Sequence, residues 1–229
     1  MEIIKANSDA DFISKGVQLL TDSITRAFER RGHCTLGLSG GSTPRPIYTE
    51  LGLSDLEWEK VSVFLIDERY VPPDDKHSNQ GMIQDTLLKH ARIPHSQIYF
   101  PDTSLNIPDC VQSYTSDLKD LFSEWLPDVV LLGMGEDGHI ASLFPPLSDD
   151  AVSDKHFTLH ATTDVFDVHD RLTLSLNVIG SASEHILILK GAEKIRVFEE
   201  MMESVDDERR WPLKRVIESS ERFSVLTNS

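Results

Sequence analysis

Cysteine is scarce in this chain. Only Cys34 and Cys110 are present, with no second cysteine at metal or redox spacing from either. A disulfide framework and a cysteine-ligated zinc site are therefore not expected, and two reduced thiols are. Basic residues are in deficit too: 22 Lys and Arg stand against 38 Asp and Glu, a net charge of −16. A surface of that sign repels nucleic-acid phosphates and anionic lipid, so neither is an expected partner. No apolar run approaches a membrane span, and the opening Met1-Glu2-Ile3-Ile4-Lys5 lacks the apolar core of a secretory signal. The expected compartment is the cytoplasm. Repeats, low-complexity tracts and interdomain linkers are missing as well, so residues 1–229 read as one domain. The acidic surface neither demands nor excludes self-association, which leaves a monomer or a homodimer.

What is present is alternation. Short β-prone runs at Cys34–Leu38, Val61–Ile66, Val129–Leu132, Leu172–Leu176 and His185–Leu189 are separated by stretches with helical periodicity. That pattern predicts a layered α/β fold with a mostly parallel sheet. The first helix spans Asp9 to Arg31, with Phe12, Val17, Leu20, Ile24 and Phe28 on one face. Ser8 or Asp9 caps it and Gly32 ends it. Further helices are expected near Pro44–Leu51, Asn79–Leu88, Asp109–Trp125 and Glu193–Met202. The Asp206-Asp207-Glu208-Arg209-Arg210 stretch reads as a solvated loop.

Polar loops follow three of the apolar runs, and in open α/β sheets ligands bind beyond the carboxyl ends of the strands. Gly133-Met134-Gly135-Glu136-Asp137-Gly138-His139 packs three glycines, two carboxylates and a histidine into seven residues. An Asp two residues before a His can hold the imidazole in one tautomer, as a general base near neutral pH requires. The same residues also make sense as a glycine-rich turn whose Asp and His are caps. Ser39-Gly40-Gly41-Ser42-Thr43-Pro44 reads as a phosphate cradle, with Thr43 as N-cap and Pro44 opening a helix behind the anion. A tight turn with an ordinary cap is the plainer alternative. It is not a nucleotide P-loop, because no Gly-Lys-Ser/Thr follows. Gly37-Leu38-Ser39-Gly40-Gly41 does match the nucleophile elbow G-x-S-x-G. An elbow, however, passes straight from strand through serine into helix, and here the helix begins several residues later.

Asp67-Glu68-Arg69-Tyr70 offers a guanidinium for a phosphate or oxyanion, or a structural ion pair among neighbours. Lys190 and Lys194 flank Gly191 after the His185 run, where either could reach an anion or lie on a solvated helix face. Arg171, just ahead of the Leu172 run, is ambiguous in the same way. His156 and His160 enclose a β-prone triplet, which puts them on one face of a strand, and no structural metal is expected.

Taken together, these motifs resemble the 6-phosphogluconolactonase family. The matching residues are Leu38-Ser39-Gly40-Gly41-Ser42-Thr43-Pro44, Asp67-Glu68-Arg69-Tyr70-Val71-Pro72, Ser78-Asn79, the run from Gly133 through Asp137-Gly138-His139-Ile140-Ala141-Ser142 to Leu143-Phe144-Pro145, Arg171-Leu172-Thr173-Leu174, and Gly191-Ala192-Glu193-Lys194. They follow the family's order over nearly the whole chain. Lys190 departs from the pattern, where a small or β-branched residue is more usual. The resemblance implies a Rossmann-like three-layer α/β/α sandwich shared with glucosamine-6-phosphate deaminases. Those enzymes carry Asn-Glu-Pro after the His-Ile-Ala and a tyrosine after the Asp-Glu. This chain has Leu143-Phe144-Pro145 and Arg69 instead, which favours the lactonase over a deaminase. A non-catalytic sugar-phosphate binder is a further alternative, and it would be expected to have lost Asp137 and His139.

The activity implied is hydrolysis of 6-phospho-D-glucono-1,5-lactone, with no metal and no cofactor. His139 is the expected general base, oriented by Asp137, and Arg69 or loop N–H groups the expected oxyanion partner. Gly40, Gly41, Ser42, Thr43 and Lys194, together with Arg171, are expected to hold the phosphate. Asp67 either bonds sugar hydroxyls or positions Arg69.

Overall fold

A computed structural model describes residues 1–205 and 207–229. Seven strands build one sheet: β1 (Glu2–Lys5), β2 (Cys34–Leu38), β3 (Val61–Leu65), β5 (Ile98–Tyr99), β6 (Val129–Leu132), β9 (Glu184–Lys190) and β10 (Arg222–Asn228). Their order is β1-β10-β9-β6-β2-β3-β5, and every neighbouring pair is parallel. A smaller antiparallel sheet, β4-β8-β7, is made by β4 (Asp67–Arg69), β7 (Thr158–Thr162) and β8 (Asp170–Leu174). The Leu172 run therefore does not extend the parallel sheet, as its apolar composition implied; it pairs with β4, the Asp67-Glu68-Arg69 segment.

Side chains along each central strand alternate between two cores, as the two-residue pleat dictates. Val129 and Leu131 of β6 join one core, while Val130 and Leu132 join the other. Helices α1 (Asp9–Arg31), α2 (Arg45–Gly52), α3 (Asn79–Asp85) and α4 (Leu87–His90) cover the first face. The second is covered by α5 (Ile107–Leu121), α6 (Asp149–Val152), α7 (Leu176–Gly180), α8 (Ala192–Glu203) and α9 (Pro212–Ser219). This is the three-layer sandwich expected. Strands buried on both faces explain why the central runs are mainly apolar.

Helix α1 starts and stops where its sequence says. The Ser8 side chain accepts the Asp11 N–H, and Gly32 closes the last turn in the left-handed region at φ 75°. Two helical expectations need correction. The Asn79–Leu88 segment breaks at Thr86, whose φ −115° and ψ −85° interrupt it between α3 and α4. Thr43 is not the cap of α2; Pro44 occupies that position without a side-chain hydrogen bond, and the helix begins at Arg45. Both cysteines are free and buried. Among the described residues, no helix is long and apolar enough to cross a membrane.

Candidate active site

Loops leaving β2, β3 and β6 meet at the carboxyl edge of the large sheet, and with the small sheet they enclose a cavity of about 550 Å³. Ser39, Gly40 and Gly41 line one side, Asp67, Arg69 and Asn79 a second, and the Gly133–Asp137 loop with His139 a third. Arg171 of β8 and Lys194 of α8 complete the polar lining. Ser42 and Thr43 do not line the cavity; they stand on the turn that leads from it to α2. Lys190 is also elsewhere, paired with Asp9 at 2.8 Å.

The histidine loop is a compact hairpin. The Gly135 N–H bonds to the His139 carbonyl at 2.9 Å, and the Gly138 N–H to the Gly135 carbonyl at 3.0 Å. The His139 ring then lies directly over Gly135, where any Cβ would sit 2.2 Å from the imidazole, so only glycine fits. Asp137 Oδ1 accepts from both the His139 backbone N–H, at 3.2 Å, and Nδ1, at 2.5 Å. An ionised carboxylate only accepts, so Nδ1 carries the proton and Nε2 presents its lone pair to the cavity. Burial pushes the Asp137 pKa up, but the hydrogen bonds and charge of His139 outweigh it and hold the group below its usual value. Phe144 and Phe166 flank the imidazole at centroid separations of 5.0 and 5.5 Å.

Opposite this pair stand the cations. Arg69 and Arg171 are register partners across β4 and β8, so their side chains share one face. Burial, and after it the facing Arg69 charge, pull the Arg171 pKa down. Arg171 donates Nε to the Val168 carbonyl at 2.9 Å and lies over the Phe166 ring. Arg69 donates Nη1 to the His77 carbonyl at 2.6 Å, while its buried Nε has no partner. Among the described residues, neither arginine nor Lys194 forms an ion pair. Two guanidiniums and an ammonium, none of them ion-paired, line one cavity beside the carboxylates of Asp67, Glu136 and Asp137, and give an anion three cationic donors in a chain of net charge −16. Asp67 is buried and accepts the Ser142 hydroxyl at 2.8 Å.

The Ser39 hydroxyl donates to the Leu131 carbonyl at 2.7 Å, not to an imidazole, which removes the arrangement a serine nucleophile needs. His160, on β7, pairs with Asp170, while His156 precedes the strand and pairs with Asp150. The two do not form a ligand pair. Sequence reasoning gave no role to Asn79, Ser142, Phe144 or Phe166. The first three lie inside the quoted motifs, but Phe166 sits on the β7–β8 turn in a stretch without any local signal. The Arg209-Arg210 end of the supposed solvated loop is in fact tied down: Arg209 bonds the Leu147 carbonyl and Arg210 the Asp137 carbonyl, at 3.0 and 2.9 Å. Asp206 lies outside the described residues.

The family model for glucosamine-6-phosphate isomerases/6-phosphogluconolactonase matches residues 7–225. The chain belongs to this family. A probable 6-phosphogluconolactonase of Dictyostelium discoideum is 37% identical over 212 residues, covering 91% of this chain and 90% of that protein. The 6-phosphogluconolactonase of a Synechocystis strain is 34% identical over 220 residues, covering 93% and 90%. Among solved structures, the 6-phosphogluconolactonase of Plasmodium vivax superposes with a TM-score of 0.89 at 29% identity, over 99% of this chain and 90% of that one. The Thermotoga maritima enzyme, at 24% identity and TM-score 0.87 over 100% and 99% of the two chains, shares the fold.

Proposed function

We infer that this chain is a 6-phosphogluconolactonase, hydrolysing 6-phospho-D-glucono-1,5-lactone to 6-phospho-D-gluconate in the oxidative pentose phosphate pathway. The observation that carries this reading is one cavity lined by an Asp-oriented imidazole and three cations that make no ion pair. Sequence relatives of near-equal length that bear the lactonase name support it.

A lactone carbonyl is already reactive, so water needs only a base and an oxyanion partner. His139 Nε2 takes a proton from water as its oxygen attacks C1. The charge that develops on the carbonyl oxygen meets the Arg69 guanidinium, which lines the cavity. Collapse of the tetrahedral intermediate breaks the bond from C1 to the ring oxygen. The imidazolium, stabilised by Asp137, returns its proton to that oxygen. Gly40 and Gly41, with Lys194 and Arg171, hold the phosphate. Asp67, fixed by Ser142, faces the sugar hydroxyls. Phe144, packed on the imidazole, stands near the point where deaminases of this family carry their extra acid, which argues against ring opening. Residues 1–229 act as one domain, in the cytoplasm, as a monomer or homodimer without nucleic-acid or membrane partners; the charge of −16 supports the last two exclusions.

Hydrolysis of freshly made 6-phosphogluconolactone, corrected for its spontaneous rate, tests the reading. Turnover far above background is expected, and far poorer turnover of unphosphorylated gluconolactone, because phosphate binding energy positions the carbonyl. No turnover above background by folded protein would refute the assignment.

A further inference from the structure

The mechanism above gives no task to Glu68, the most deeply buried carboxylate at this edge, only 1% exposed. It lies on β4 between Asp67 and Arg69. Strand alternation sends those two toward the cavity and turns Glu68 away from it. There the carboxylate meets only donors. Oε1 accepts the backbone N–H groups of Arg69 and Asn79, at 2.6 and 2.7 Å. Oε2 accepts the Gln80 N–H at 2.6 Å and the Ser78 hydroxyl at 3.2 Å.

One carboxylate thus pins both ends of the loop from Arg69 to Ser78. The second tie across this loop is the one that matters for chemistry: the Arg69 guanidinium reaches the carbonyl of His77, the residue before Ser78. Asn79, gripped through its N–H, donates its carboxamide to the Asp67 carbonyl at 2.9 Å and packs against Gly40. The loop is also pressed on the start of α3, where a Cβ on Gly81 would lie 2.3 Å from the Pro73 carbonyl.

We propose that Glu68 is a positioning residue for lactone hydrolysis, its carboxylate fixing the His77 carbonyl and so aiming Arg69 at the oxyanion. The proposal rests on the assignment of Arg69 above. Three of the four donors are backbone N–H groups, which can only donate, and a carboxamide turns a hydrogen of its own against at least one of them. In E68Q one oxygen becomes an NH2 group, and whichever way the amide turns, at least one backbone N–H loses its acceptor.

Steady-state kinetics of wild type, E68Q, R69A and the double variant, with circular dichroism to establish folding, test this. E68Q is expected to lower kcat by about 10- to 100-fold, less than the ~10²–10³ of losing an oxyanion donor outright, with KM nearly unchanged. The double variant is expected to be no slower than R69A, because Glu68 acts through Arg69. A folded E68Q at wild-type kcat, beside a crippled R69A, overturns the positioning role and leaves Arg69 in place. Losses that multiply in the double variant overturn it as well. Wild-type kcat in R69A removes the oxyanion assignment and the proposal with it. Should E68Q fail to fold, S78A removes one donor and keeps the charge. A kcat loss of about threefold, absent in an R69A background, is then expected, and S78A at wild-type kcat counts against the proposal.

Discussion

The two edges of the large sheet bury charge in opposite ways. At the amino ends of the strands, each carboxylate is matched. Asp128 accepts from Arg30 and the Thr35 N–H at 3.0 and 2.7 Å, and from Arg31. Glu184 is held by Arg26 Nη2 and Nε, at 2.6 and 2.8 Å, and by Ser23. Among the described residues, Arg31 Nε is the one unpartnered atom of that network. At the carboxyl ends, among the described residues, three cations make no ion pair, Arg69 Nε and Asn79 Oδ1 are buried without partners, and Ala141 takes a φ of 50° that a side chain resists. Burying polar groups costs free energy unless they are bonded. The amino edge meets that cost with protein groups, while the carboxyl edge leaves it for a ligand to offset. Stability and function are thus separated across the thickness of one sheet.

His139→Ala tests the separation most severely. It is expected to lower kcat by about 10²–10⁴-fold, the worth of a positioned general base, while KM and the melting temperature hardly move. A rate near wild type would place the base elsewhere. Asp128→Ala is its mirror image. Leaving Arg31 and the Thr35 N–H without their buried acceptor is expected to cost about 3–5 kcal/mol in denaturant unfolding, with kcat/KM of the folded protein preserved. Lost turnover in fully folded Asp128→Ala would show that the edges are coupled.

A smaller effect contrasts one titrating group from each edge. Burial raises the Glu68 pKa from 4.5 to about 7, its backbone N–H donors opposing this. Burial lowers that of His185 from 6.5 to about 4, partly opposed by the Ile179 carbonyl. Glu68 is faced by Asp67 and Arg69 on its own strand, Arg171 on β8, and the neutral Cys110 and Tyr114 of α5. His185 is bonded by Ser220 and Ile179 and stacked on Phe223. A raised folded pKa gives stability that is present below about pH 4.5 and lost as pH rises through 7; a lowered histidine gives stability that is present above about 6.5 and lost as pH falls toward 4. Each term is about 3 kcal/mol and the signs oppose, so wild type is expected to be nearly flat between pH 4.5 and 6.5. E68Q should unmask stability that rises with pH over that window, and H185Q stability that falls. Parallel slopes in the two variants would mean that neither group titrates as assigned.

Much of the fold and of the carboxyl edge was legible in the sequence, and the ion pairs of the amino edge were not. Helix α1 and strands β2 and β6 fall on their expected residues, because strong periodicity and unambiguous caps specify them locally. The three polar loops were assigned to one edge from the strand ends alone, and they do meet there. What escaped depends on partners distant in the chain. Apolar β8 looks like any buried strand, and only its pairing with β4 puts Arg171 opposite Arg69. Alternation along Asp67-Glu68-Arg69 could have separated Glu68 from its neighbours, but a three-residue strand shows no period of its own. Arg210 carried the opposite signal, since basic residues beside an acidic run look solvated until the fold lays them on another loop.

Arg210 gives the smallest expected effect. Its Nη1 bonds the Asp137 carbonyl at 2.9 Å, and its guanidinium lies 3.6 Å from the centre of the Trp211 ring. That ring in turn covers Gly138, where a Cβ would meet it at 2.6 Å. The segment therefore braces the histidine loop from outside the cavity, while the loop's own backbone bonds hold it from within. Because the inner bonds remain, R210A is expected to lower kcat only about fivefold, the worth of one exposed charge-assisted hydrogen bond near 1 kcal/mol, with KM unchanged. The acceptor is a neutral carbonyl, so added salt should not reproduce the loss. Lysine should not restore the rate, since it lacks the flat guanidinium that bonds the carbonyl and stacks on the indole together. A loss in R210A as large as that in His139→Ala would mean that the outer brace, and not the hairpin's own hydrogen bonds, sets the position of the base.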